Sequence, residues 1–273
     1  MVRMGSLSRV NRVSKLGALL LALVPSCSGE RPVVVGSKNF TEQVILGEVL
    51  AQLLEARDVP VERRLNLGGT FICHRALLAG DLDVYVEYTG TALTAVLKEK
   101  VSRDADAVYQ RVREVYRKDL GLAWTEPLGF DNTFAIAMTP EAAAELGIRT
   151  ISDLKLEKPP RGIELGLIYQ ALMEGEVDVV VGSATDGLID KFGLTVLEDD
   201  RFYFPPYDAA AVYRPSTAER EPALAEVLEL LEGNLDEAAM RGLNRQVDDE
   251  GRAAAEVVAS FLRERGWLGQ DSK

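Results

Sequence analysis

The chain has 273 residues, of which 47% are apolar, 27% charged and 7% aromatic, an ordinary globular make-up with room for one large or two modest domains. Asp and Glu number 43 against 31 Lys and Arg, a net charge of −12, which opposes a broad nucleic-acid interface because phosphate binding needs a concentrated basic surface. Two cysteines cannot build a disulfide framework, and a single histidine leaves little for a His-based metal cluster or a catalytic triad.

Arg3, Arg9, Arg12 and Lys15 precede the apolar run Leu16–Val24 with no acid among them. This pattern predicts an export signal over residues 1–26, too short to span a bilayer as a stable helix. The run ends in Val24-Pro25-Ser26-Cys27, which resembles the lipobox of bacterial lipoproteins and implies a lipid on Cys27, residues 27–32 as a tether, and an exported protein on the periplasmic or other extracytoplasmic face of the membrane. Cleavage near Ser26 with an unmodified cysteine is the simpler alternative. Cys73 is then the one cysteine besides Cys27, and no internal disulfide is expected.

Alternating strands and helices follow. Val33, Val34 and Val35 form a β-branched run that stops at Gly36, and Asn39 with Glu42 three residues on has capping-box spacing. A helix over Thr41–Arg57 is predicted, its wide apolar stripe made by Ile45, Val49 and Leu53 with Leu46, Leu50 and Leu54. This order places residues 36–39 at the carboxyl end of a strand, where open α/β sheets form ligand crevices. A second helix is expected over Thr70–Ala79, closing at Gly80, then a strand over Leu82–Tyr88 and a helix from about Thr91.

Residues 76–86, ALLAGDLDVYV, are echoed at 171–181 by ALMEGEVDVVV: helix end, glycine, acidic turn, strand. Two copies are too few for a solenoid and point to two similarly built α/β lobes. Glu126–Met138 reads as a crossover strand between them, and Phe204-Pro205-Pro206-Tyr207 as the stiffened return. Lobe one is assigned residues 33–125 and 207–273, lobe two residues 126–206. Two amphipathic helices, Ala218–Glu232 and Asp236–Arg265, read as cover for lobe one, with Leu224, Val227, Leu228 and Leu231 facing inward.

GSKNFTEQ at 36–43, LNLGGT at 65–70, YVEYTGTAL at 85–93, LGFDNTFA at 128–135, ATDG at 184–187 and FPPY at 204–207 together resemble the glycine betaine, choline and carnitine type substrate-binding proteins of osmoprotectant ABC transporters. The resemblance covers nearly the whole mature chain. It implies an α/β, two-lobed periplasmic binding protein fold of the type II kind that closes about a hinge, no cofactor, a quaternary-ammonium ligand, and delivery to the permease subunits of an importer. Such a ligand has no N–H to donate, so aromatic faces select it through cation–π attraction, while a betaine's carboxylate needs a lysine, backbone N–H groups or a bidentate arginine. Carried over by position, Tyr88 in EYTGT and Tyr207 in FPPY look like cage tyrosines. Phe134 stands where the family usually has a tyrosine, and Ser183 where many relatives place another. Lys38, Thr91 and Asn132 match polar contact positions.

One departure is large. Relatives place a strand, an arginine-bearing segment and a further helix between Leu156 and Tyr169; here a block of lobe two is missing, the family's carboxylate-binding arginine with it, and Arg161 does not align with that arginine. This leaves a truncated or divergent receptor, acting as a sensor or on another small cationic or zwitterionic solute, as an alternative reading. An exported enzyme would have to draw on Ser37, Ser183, His74 and Asp186, and no G-x-S-x-G accompanies them; His74 reads as structural. Asp199-Asp200 lacks the acidic loop of a calcium site and reads as a solvated turn, so no metal is expected.

Overall fold

β1 (Val33–Lys38) opens on its three valines, whose branched side chains favour extended backbone. It belongs to a computed structural model that describes residues 31–155 and 167–268; the export signal, Cys27 and Arg161 lie outside the described residues. The chain continues through α1 (Thr41–Glu55), β2 (Val61–Gly68), α2 (Thr70–Ala79), β3 (Val84–Tyr88), the short α3 (Thr89–Thr91), α4 (Ala105–Val115) and β4 (Ala123–Trp124). It then crosses to β5 (Phe134–Met138), α5 (Pro140–Leu146), α6 (Ile168–Met173), β6 (Val180–Ser183), α7 (Gly187–Lys191) and β7 (Thr195–Val196). It returns as β8 (Ala209–Tyr213) and ends in α8 (Pro215–Arg220), α9 (Pro222–Leu231), α10 (Glu237–Asp248) and α11 (Ala254–Glu264).

The first sheet has the order β2-β1-β3-β8-β4. β1 runs parallel to β2 and β3, while the returning β8 pairs antiparallel with β3 and β4. Strand alternation divides its core. Val33, Val35, Val84, Val86, Tyr88, Ala209 and Ala211 pack beneath α1, α9, α10 and α11, whereas Val34, Tyr85, Trp124, Ala210 and Val212 meet α2 and α4 on the other face. The second sheet, β6-β5-β7, is antiparallel throughout and carries a smaller core of Ala135, Ala137, Ile168, Tyr169, Leu172, Val180 and Ile189. Both copies of the repeat take the expected form, with Gly80 (φ 82°) after α2 and Gly175 (φ 72°) after α6 in the left-handed region.

Several expectations are corrected. Phe40, not Asn39, is the N-cap of α1 and no side chain caps it; this moves Glu42 to the second helical position and frees it to turn inward. The crossover segment is extended as a named strand only from Phe134 onward, with a single bridge between Asp131 and Asp208 before it. The predicted helix over 218–232 is two, because Pro222 has no N–H to continue one and starts another. The predicted helix over 236–265 breaks after Asp248, where Gly251 takes φ 68°. Leu224, Val227, Leu228 and Leu231 are buried as expected, but α10 does more than cover the first sheet. A Cβ on Gly187 would lie 2.6 Å from the Arg245 backbone nitrogen, so α7, beside the second sheet, packs directly on α10.

Candidate functional site

The end of β1 delivers Lys38 into the protein. The residue is 3% exposed, its Nζ donates to Glu87 Oε1 at 2.5 Å, and the same ammonium lies 4.2 Å from the centroid of the Tyr88 ring and 5.7 Å from that of Phe40. β3 supplies both Glu87 and Tyr88 as neighbours, so their side chains leave opposite faces of the strand. Glu87 is fully buried, and its Oε1 also accepts the Tyr88 N–H at 2.8 Å.

Tyr88 is 4% exposed and stacks on Phe40 with centroids 6.3 Å apart. Its hydroxyl donates to Glu42 Oε1. Burial first, then the nearby Glu42 charge, holds the phenol pKa well above its usual range, so Tyr88 stays a donor at neutral pH. Asn132 Nδ2 donates to the same Glu42 oxygen at 2.8 Å, and Asn244 Nδ2, from α10, donates to Glu42 Oε2 at 3.1 Å and to the Thr185 carbonyl at 2.9 Å. The Ser183 hydroxyl donates to Asn132 Oδ1 and lies 3.1 Å from Thr185 Oγ1. One polar chain therefore runs from β3 of the first sheet to β6 of the second.

Tyr207 arrives from the return segment. Its N–H donates to Asp131 Oδ1 at 2.8 Å, and its carbonyl accepts from the Asn132 N–H at 3.2 Å. Gly90 explains how the ring is admitted: a Cβ there would sit 2.4 Å from the Pro206 carbonyl oxygen and 3.0 Å from the Tyr207 ring carbons. The glycine of EYTGT is the floor on which the tyrosine of FPPY rests, and Thr91 follows it, half-buried. Phe134, 52% exposed, stands in register opposite Ser183 on β6, with the Phe204 ring 5.5 Å away. Asp199 shapes that approach by accepting the Tyr203 and Phe204 N–H groups at 2.8 and 3.0 Å, while Asp200 accepts the Ser152 N–H at 3.1 Å.

Of the seven sequence-derived positions, Lys38, Tyr88, Asn132 and Ser183 are joined through their neighbours, Phe134 pairs with Ser183, and Tyr207 bonds Asn132 through its carbonyl, while Thr91 follows Gly90 on α3. Sequence reasoning missed Glu42, Asn244, Phe40 and Phe204. Three residues weighed for an enzyme have other partners. Ser37 accepts the Asn66 N–H at 2.8 Å, Asp186 caps α7 and accepts the Tyr169 hydroxyl, and His74 meets Tyr116, 3.4 Å from its hydroxyl, with burial lowering the imidazole pKa. A groove of about 580 Å³ between α1 and α11 shares no residue with this region.

Residues 31–167 and 160–264 match the family described as the substrate binding domain of ABC-type glycine betaine transport system. The chain belongs to this family. It is similar to a glycine-betaine-binding protein of Pseudomonas aeruginosa, 34% identical over 275 residues, covering 86% of this chain and 88% of that protein. It is also similar to the ergothioneine transport permease/ergothioneine binding protein EgtU of Helicobacter pylori, 32% identical over 281 residues; 91% of this chain takes part and spans half of that protein's length. Among solved structures, a glycine betaine/carnitine/choline ABC transporter structure superposes with a TM-score of 0.82 at 28% identity, covering 87% of this chain and all of the other. The chain has the mixed α/β periplasmic binding protein fold, and its family is one of substrate-binding transport proteins. Its match to the family comes in two pieces that overlap at 160–167, and the Helicobacter alignment is longer than the whole chain while using 91% of it. That relative carries residues this chain lacks.

Proposed function

We propose that the chain is the solute receptor of an ABC importer and captures a small quaternary-ammonium solute, choline, glycine betaine or a related compound, between lobe one (33–125 and 207–273) and lobe two (126–206). The crossing segments around Asp131 and Asp208 serve as the hinge, and closure brings Phe134 and Ser183 toward Tyr88, Tyr207 and Thr91. The observation that carries this reading is the seating of Tyr207 on Gly90, which brings the FPPY ring against the EYTGT motif that carries Tyr88. Rings attract a methylated cation without needing an N–H from it. Lys38, Thr91 and Asn132 are the polar contacts for the rest of the solute, and permease subunits receive it.

None of the side chains gathered at the site among the described residues is an arginine, and Lys38 is already neutralised by Glu87. A carboxylate therefore finds weaker reception than a hydroxyl, and choline is expected to bind at least as well as glycine betaine. We further propose that the mature chain starts at Cys27 and is tethered by lipid to the extracytoplasmic face of the membrane, several acyl chains anchoring it durably at about 0.8 kcal/mol per buried methylene.

Thermal unfolding of the purified chain with choline, glycine betaine, carnitine, ergothioneine and a set of amino acids tests the receptor reading. A ligand present at about one hundred times its Kd adds about 2.7 kcal/mol, and at least one methylated ammonium compound should do so. Stabilisation by amino acids alone, or by none of the set, refutes it.

A further inference from the structure

Four acids among the described residues are buried: Glu42, Glu48, Asp83 and Glu87. Three have a cation. Arg63 lies 3.1 Å from Glu48, Lys38 2.5 Å from Glu87, and Arg220 3.9 Å from Asp83. Glu42 has none within ion-pair distance among the described residues. Its partners are three neutral donors, the Tyr88 hydroxyl and the Asn132 and Asn244 amides. A carboxylate surrounded only by donors is matched to its ionised, acceptor-only form. Hydrogen bonds satisfy its lone pairs, yet they leave a net negative charge out of water, and a charge so placed is costly until a cation joins it. Two of the groups that hold Glu42 are Tyr88, carried beside Gly90 and the Tyr207 ring, and Asn132, on the segment that leads to Phe134.

We propose that Glu42 is the counter-charge for a cationic headgroup and makes the site prefer a net-cationic solute over a zwitterionic one. The proposal rests on the reading that this region binds a quaternary ammonium. Two effects act together. The charge attracts the cation directly, with little screening because both are shielded from water. The Tyr88 hydroxyl, by donating to an anion, also pushes electron density into its ring, and a more electron-rich face holds a cation more strongly. A zwitterion gains the same at its ammonium and loses part of it at its carboxylate, which Glu42 repels while Glu87 occupies the lysine.

Calorimetric titration of the purified chain and its Glu42→Gln variant with choline and with glycine betaine decides the matter. Glutamine keeps the size and one acceptor oxygen but not the charge. Choline should weaken by about tenfold or more and betaine by less than about threefold, so the ratio of the two affinities collapses. Equal losses for both solutes would mean a structural role, no loss would mean no role, and either overturns the proposal. A parent protein that binds neither solute overturns the receptor reading first. Should Glu42→Gln fail to fold, the exchange Glu42→Gln with Asn132→Asp keeps a carboxylate and an amide in contact. It should retain the choline preference, and its loss there while betaine still binds would count equally against the proposal.

Discussion

Replacing Asp131 by asparagine probes the electrostatics of the two crossing segments. Asp131 bridges to Asp208, its Oδ1 accepts the Tyr207 N–H at 2.8 Å, and its own N–H donates to Glu237 Oε1 at 3.2 Å. Burial, and then the charges of Asp208 and Glu237, push its carboxyl from 3.8 up to about 7, against the pull of the Tyr207 and Thr133 N–H groups. Burial raises Asp208 as well. A carboxyl whose pKa is higher in the folded state binds more protons there than in the unfolded chain, so stability falls as pH rises through the window between the two values and stays low above it. Three pH units at 1.36 kcal/mol each is about 4 kcal/mol, and screening at this partly exposed site leaves about 2 kcal/mol. Asparagine accepts the same Tyr207 N–H without the charge. Asp131→Asn should therefore be more stable than the parent by about 2 kcal/mol near about pH 8, with the advantage fading toward about pH 4. Urea unfolding of both proteins across that range measures it. Burial lowers the His74 pKa, so its contribution is lost as pH falls below 6.5, the opposite trend; being common to both proteins, it drops out of the difference. A difference that does not vary with pH, or a variant less stable than the parent above pH 7, would refute the reasoning.

Gly90→Ala should destabilise the fold by roughly 1–3 kcal/mol in urea, because its Cβ meets the Pro206 carbonyl at 2.4 Å and backbone yields less readily than side chain. Lys38→Met should cost about 3–5 kcal/mol by stranding the buried Glu87 charge, and adding Glu87→Gln should restore most of it; a double variant no better than the single one contradicts the pairing. Tyr88→Leu and Tyr207→Leu should each weaken choline binding by about 0.5–2 kcal/mol, more than the phenylalanine versions do, because leucine has no π face. Calorimetric affinities equal to the parent's in both leucine variants would remove the aromatic cage from the account.

The valine run, the α1 stripe and the paired helix–glycine–strand copies were legible because burial on one face imposes a period on the residues themselves. β2 was not: Glu62, Arg63 and Arg64 are exposed on an edge strand, so no apolar alternation marks it. α4 escaped for a related reason, with only Val108, Tyr109 and Val112 buried. Glu42 shows where a local pattern misleads. Asn39 and Glu42 have the spacing of a capping box, but α1 starts one residue later than that motif needs, and a tertiary partner, Tyr88, claims the carboxylate. Reading for tyrosines drew attention away from Phe40, 42% exposed, and from Phe204. Asn244 joins Glu42 from 202 residues away, a contact that no local spacing encodes.

A region that receives a methylated cation and has little to offer a carboxylate should not favour glycine betaine over choline. The ratio of choline to glycine betaine affinity, measured by calorimetry on the purified chain, tests it most directly. Loss of a charge-assisted bidentate contact removes roughly 1.5–3 kcal/mol from betaine and little from choline, so the two should bind comparably or choline should lead. A betaine preference beyond about one hundredfold, some 2.7 kcal/mol, would contradict the claim and turn attention to Arg161 or to Arg241, whose guanidinium donates to the Ala184 carbonyl at 2.8 Å.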